Sequence, residues 1–98
     1  MPEKYIQKVF AEELKRAGLN FLKECKVELK YEGMSMSIYF LDFMIEDKIV
    51  VELKVRPRMG YVHIKQVMAY LKAMNKKLAI LLYFTHEGVK FRRVLNSY

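Results

Sequence analysis

Leu41-Asp42-Phe43-Met44-Ile45-Glu46-Asp47-Lys48-Ile49-Val50-Val51-Glu52-Leu53-Lys54-Val55 is the stretch whose reading decides the fold. Two apolar, β-branched runs flank a short polar segment, which is the pattern of two strands joined by a turn. Asp42, Glu52 and Lys54 interrupt those runs, and a charge among Val, Leu and Ile is costly unless it is paired or holds a metal. The spacing in Glu52-x-Lys54 predicts both charges on one face of a strand, with Val51, Leu53 and Val55 on the other. Pairing Ile45 with Ile49 across a turn at Glu46-Asp47-Lys48 sets Asp42 directly opposite Glu52 on that same face. Two carboxylates and an amine so placed can hold a hard divalent cation beside a positioned proton acceptor or charge donor. The plainer reading makes Glu52 and Lys54 an exposed pair on an amphipathic strand. It fits poorly with Ile49-Val50-Val51, which is apolar on both faces.

Working outward, Pro2 to Ala17 reads as an amphipathic helix. Pro2 suits the first turn, Glu3 complements the positive end of the dipole, and Gly18 stops the helix. Ile6, Val9, Phe10 and Leu14 form its apolar stripe. Phe21 to Tyr31 alternates as a half-exposed strand, with Cys25, Val27 and Leu29 on one face. Glu32-Gly33 is a turn, and Met36 to Ile45 and Lys48 to Val55 complete a meander. Arg56-Pro57-Arg58-Met59-Gly60 breaks the sheet. Tyr61 to Met74 then has helical spacing of Val62, Val67, Leu71 and Met74. Lys77 to Phe84 reads as a strand buried on both faces, and Val89 to Leu95 as a final edge strand. The order is αβββαββ, without repeats or linkers, so residues 1–98 form a single domain.

Composition narrows the class. The chain is 53% hydrophobic, ample for a packed core, and no segment is long or apolar enough to span a membrane. No secretory signal is visible, and the lone Cys25 permits no intrachain disulfide, so a reducing cytoplasmic setting is expected. Cys25 itself reads as a small buried hydrophobe. The net charge of +7 favours a polyanionic partner, most often nucleic acid.

In order and spacing these segments resemble the PD-(D/E)XK nuclease superfamily, and within it the small GxxExxY proteins. The matching segments are Ala11-Glu12-Glu13-Leu14-Lys15-Arg16-Ala17-Gly18-Leu19, Leu41-Asp42 with Glu46-Asp47-Lys48, Val51-Glu52-Leu53-Lys54, and Val62-His63-x-x-Gln66-x-x-x-Tyr70-Leu71-Lys72-Ala73. The resemblance implies a restriction-endonuclease-like core, a mixed α/β (α+β) fold whose sheet is flanked by two helices. It also implies Mg²⁺, with Mn²⁺ as a substitute, held by Asp42, Glu52 and the backbone carbonyl of Leu53. Lys54 is then the lysine that orients or activates the attacking water. Glu3 is a further candidate ligand from the first helix. The chain departs from the narrower family where Ile6 stands at its Tyr and no Gly precedes Glu3. Phe40 also stands where a more polar residue is expected.

Gln66 and Tyr70 are one helical turn apart, with His63 one turn before them. On the residues alone, Tyr70 is a core aromatic and Gln66 a boundary polar group; the resemblance instead places Gln66 in the catalytic set and Tyr70 beside the nucleic acid. His63 reads as a rim residue. The expected activity is Mg²⁺-dependent hydrolysis of DNA phosphodiester bonds, selecting by structure, with RNA left open. No small-molecule cofactor and no membrane partner are expected. Arg56, Arg58, Lys90, Arg92 and Arg93 are the expected phosphate grips. The alternative is a non-catalytic nucleic-acid-binding or adaptor module that retains the fold. A homodimer is expected from seven Met and thirteen aromatic residues on a small domain, with Val94-Leu95-Asn96-Ser97-Tyr98 as its seam.

Overall fold

The computed structural model describes residues 2–60 and 63–96. The elements are α1 (Glu3–Arg16), β1 (Phe21–Tyr31), β2 (Met34–Ile45), β3 (Ile49–Val55), α2 (Ile64–Met74), β4 (Leu78–Thr85) and β5 (Gly88–Leu95). They form one five-stranded sheet in the order β1-β2-β3-β4-β5. Only the β3–β4 pair is parallel, because α2 carries the chain across the sheet between those two strands. The expected αβββαββ order and mixed sheet are what the molecule has.

Local chemistry sets the boundaries. Gly18 takes φ +73° just after α1, and its N–H and that of Leu19 close on the carbonyls of Lys15 and Leu14. Glu32 and Gly33 both have positive φ, the two-residue turn whose twist suits a hairpin. Asn75, with φ 56°, ends α2. Tyr61 and Val62, expected to begin that helix, lie outside the described residues.

α1 covers one sheet face, over Phe43, Ile45, Val51 and Leu53. α2 covers the other, over Leu41, Met44, Val50, Ala79, Leu81 and Tyr83. The expected α1 stripe needs one correction. Val9 is exposed, while Gln7 is buried with Ile6, Ala11 and Leu14. Among the described residues no helix is long and apolar enough to cross a membrane.

The expected dimer seam is also split by the fold. Val94 is buried in the α2-side core, and Asn96 is buried with its side-chain N–H donating to the Lys76 carbonyl. Leu95 is exposed, and Ser97 and Tyr98 lie outside the described residues.

Candidate active site

The turn at 46–48 pairs Ile45 with Ile49, Met44 with Val50 and Phe43 with Val51, as the apolar pattern requires. Asp42 and Glu52 come next in register, and there the backbone pairing stops. Side chains take over. The Asp42 N–H donates to Glu52 Oε1 at 3.0 Å, and the Leu53 N–H donates to Asp42 Oδ2 at 2.8 Å. Each carboxylate thus satisfies a backbone donor that the ladder has left open. β3 meanwhile continues alongside β4 through Val55, so β2 and β3 part around the two acids.

The two carboxylates reach this opening from different faces. Tyr39 and Leu41 pack with the α2-side core, whereas Phe43 and Ile45 pack with the α1-side core. Successive odd-numbered residues therefore change face across Asp42. β1 does the same between Phe21 and Cys25, where Glu24 adopts φ 53°. The pairing keeps one register on either side, Lys23 with Phe43 and Cys25 with Leu41, so neither strand carries an extra residue there. Both strands turn over together at Glu24 and Asp42, and this re-aims the Asp42 side chain. Asp42 is held from the α1 side, with Gln7 Nε2 donating to its Oδ1 at 3.2 Å. Glu52 is held from the α2 side, with the Tyr39 hydroxyl donating to its Oε2 at 3.3 Å. The expectation of a shared face is corrected accordingly: the acids converge within the opening rather than standing side by side on one face.

Electrostatics follow from burial. Glu52 is 2% exposed, and its carboxyl is pushed up to about 7 by desolvation and then by the charge of Asp42. Asp42 is also raised, first by burial, with the charge of Glu3 adding to it. Lys54 Nζ lies 3.8 Å from Glu52 Oε2 and is almost as buried. The opposed charge lessens the cost of burying either group alone. The Leu53 N–H faces β2, and in an extended strand a residue's C=O faces the same side. The Leu53 carbonyl is therefore directed toward the two acids.

Other expected residues fall at different distances from this centre. Gln66 is exposed on the first turn of α2 and its side chain hydrogen-bonds Tyr70. Tyr70 is 4% exposed, and its ring stacks on Tyr39 with centroids 4.7 Å apart. That burial corrects its expected place on a nucleic-acid surface: the ring is core, and it braces the tyrosine that holds Glu52. Glu3 Oε2 is 3.5 Å from the Arg56 guanidinium at the rim. Arg58 is exposed on the following loop. Lys90 and Arg92 share the α2 face of β5 with Val94, because they pair with Tyr83 and Leu81. Arg93 pairs with Ile80 and so lies on the opposite face, and the three do not form one patch. His63 is half-buried, with Nδ1 3.2 Å from the Tyr83 hydroxyl, and burial together with Lys54 and Arg56 pushes its pKa down.

Gln7 and Tyr39 were not singled out in the sequence. Gln7 carried a signal: it recurs at helical spacing with Ala11 and Leu14, a polar residue on a buried stripe. Tyr39 carried none beyond being aromatic near Asp42.

A family model described as the PD-(D/E)XK nuclease superfamily matches residues 1–94. This chain belongs to that superfamily. Among solved structures, the nuclease-fold chain is similar to one titled "Crystal structure of SSO0001", with 21% identity and a TM-score of 0.73 over 98% of this chain and 50% of that one. It is also similar to LHK-Exo in complex with dAMP, with 11% identity and a TM-score of 0.69 over 97% of this chain and 56% of that one. The alkaline exonuclease LHK-Exo from Laribacter hongkongensis gives 9% identity and a TM-score of 0.57 over the same shares. These likenesses show a common fold, and the chain spans about half the length of each. No curated protein matches in sequence.

Proposed function

We propose that this superfamily member is a metal-dependent nuclease that hydrolyses DNA phosphodiester bonds, with Asp42, Glu52, Lys54 and Gln66 as its catalytic set. One observation carries the reading: two desolvated carboxylates converge where β2 and β3 part, each already anchored by a backbone N–H. Acids held in this way raise one another's proton affinity unless a cation neutralises them. A non-catalytic module has no physical need for such a pair.

Mg²⁺ fits this donor set, with Mn²⁺ as a substitute. Among the described residues no three His, Cys, Asp or Glu side chains gather around a metal position. Asp42, Glu52 and the Leu53 carbonyl would supply three oxygens, and Mg²⁺ ordinarily keeps several waters besides. A bound ion would polarise the phosphodiester and acidify its bound water. Lys54, fixed beside Glu52, would orient that water or stabilise charge on the phosphate. Gln66 acts from the α2 rim, and Glu3 joins the ligands only if Arg56 releases it.

Arg56 and Arg58 would meet phosphate at the mouth, with Lys90 and Arg92 further along the α2 face; Arg93 belongs to the other face. Contacts of this kind fix the backbone without reading bases. Selection then follows DNA structure, as expected of so small a domain, and kinship to the GxxExxY proteins would agree with that. The assembly we infer is a two-fold dimer, supported by exposed Val89, Phe91 and Leu95 on β5. A reducing cytoplasmic setting suits the unpaired, half-buried Cys25.

Plasmid, linear and branched DNA incubated with and without Mg²⁺ or Mn²⁺ test the reading. Cleavage that needs the metal and disappears in Glu52→Gln is expected; no cleavage of any form contradicts it.

A further inference from the structure

Past the three residues that pair with β3, the β1–β2 hairpin continues as an arm. Its α2 face is packed by Cys25, Val27, Leu29, Tyr39 and Leu41. Its other face is uncovered beyond Glu24, the residue that Lys4 of α1 holds at 2.6 Å. Large apolar side chains stand open there. Phe40 is 56% exposed and Ile38 50%, and the register shift that follows ends the row there.

Alternation from Leu41, which packs on the α2 side, puts Phe40 and Ile38 on the opposite side of β2. The bond from Gln7 to Asp42 agrees with that side being the one nearer α1. The apolar row therefore runs directly into the acidic pair. Alternate side chains on a strand stand about 6.7 Å apart, roughly twice the 3.4 Å rise of a stacked nucleotide. Each step along the row suits one base drawn away from its neighbours. On β1, Lys26 pairs with Phe40, while Glu28 pairs with Ile38 and is held by Lys30 at 3.7 Å, so Lys26 is the cation that stands beside the row.

We propose that the open face of this arm is a platform for a single-stranded segment of the substrate, with unpaired bases on Phe40 and Ile38 and phosphates beside Lys26. The inference rests on the nuclease reading and names its substrate: an end, flap or gap rather than intact duplex. A duplex hides its bases from such a row, whereas every unpaired base offers an apolar face. The charge of the chain agrees with a nucleic-acid occupant, and an apolar row on an open strand otherwise invites self-association.

The test uses Lys54→Ala protein, so that substrate is not consumed, with fluorescein-labelled oligo(dT) and a blunt DNA hairpin as probes. Adding Phe40→Ala and Ile38→Ala should weaken oligo(dT) binding about tenfold or more while changing duplex affinity little. Melting should stay unchanged because both side chains are exposed, and Phe40→Trp alone should keep wild-type affinity. Equal oligo(dT) affinity with and without the two substitutions overturns the platform and leaves the nuclease reading standing. Loss of a dimer on light scattering, with nucleic-acid binding unaltered, overturns it in favour of a contact between copies. A Lys54→Ala protein that binds neither probe overturns both readings.

Discussion

The two ends of the β2–β3 pair obey different rules. From Phe43 to Ile45 the strands are zipped, apolar on both faces, and their backbone groups satisfy one another. One residue further, Asp42 and Glu52 take over the backbone donors, and the strands separate. The zipped end is stability, and the open end is chemistry built on it. The open end would collapse into ordinary ladder if apolar residues stood at 42 and 52.

Substitutions at the two ends should therefore act on different observables. The largest effect is on cleavage: Lys54→Ala should lower kcat by roughly a hundredfold or more while leaving metal affinity nearly intact, because lysine brings no ligand oxygen. Single-turnover assays read the first quantity and metal titration of the melting temperature reads the second. Retained cleavage would make Lys54 structural. At the zipped end, Phe43→Ala should cost about 3–5 kcal/mol in urea unfolding, since its ring is fully buried and meets Phe10 and Phe21 edge-on. A cost below about 1 kcal/mol would show that this end is not the anchor.

The pH dependence sharpens the contrast. Glu52 rises from an ordinary 4.5 to about 7 in the fold, so between those values the folded state keeps a proton that the unfolded state has lost. Its contribution is fully present below about 4.5 and is lost as pH rises through about 7. Asp42, also raised, acts in the same direction. Without metal, stability should fall on the order of 3 kcal/mol across that window. In Glu52→Gln most of that slope should vanish. A metal-free wild type whose stability rises across the window would contradict the assignment.

Much of this contrast was legible in the chain. Alternation, the turn at 46–48 and the unusual charges located both ends and gave the register. What escaped notice depended on partners remote in sequence or on a broken period. The joint turn-over of β1 and β2 at Glu24 and Asp42 shifts the phase of alternation without changing its residue pattern, so one shared face was expected for acids that approach from two. Gln7 meets Asp42 thirty-five residues away. Tyr70 reads as core from its residues alone, as the fold has it; its expected place beside nucleic acid came only from the family resemblance. Arg92 and Arg93 are adjacent in the chain, and strand geometry alone sends them to opposite faces.

A smaller effect belongs to the rim. Arg58→Ala should weaken DNA binding evenly across sequences and reduce the salt slope by about 1, as one lost phosphate contact does. An unchanged slope would remove Arg58 from the track.

The central claim is that the opening between β2 and β3 holds a divalent ion, and thermal melting at about pH 8, where Glu52 is ionised, tests it most directly. Millimolar Mg²⁺ or Mn²⁺ should raise the wild-type melting temperature, by the equivalent of about 2.7 kcal/mol at a hundredfold excess over Kd, and should leave Glu52→Gln nearly unmoved. A wild type that melts at the same temperature with and without either metal would contradict it.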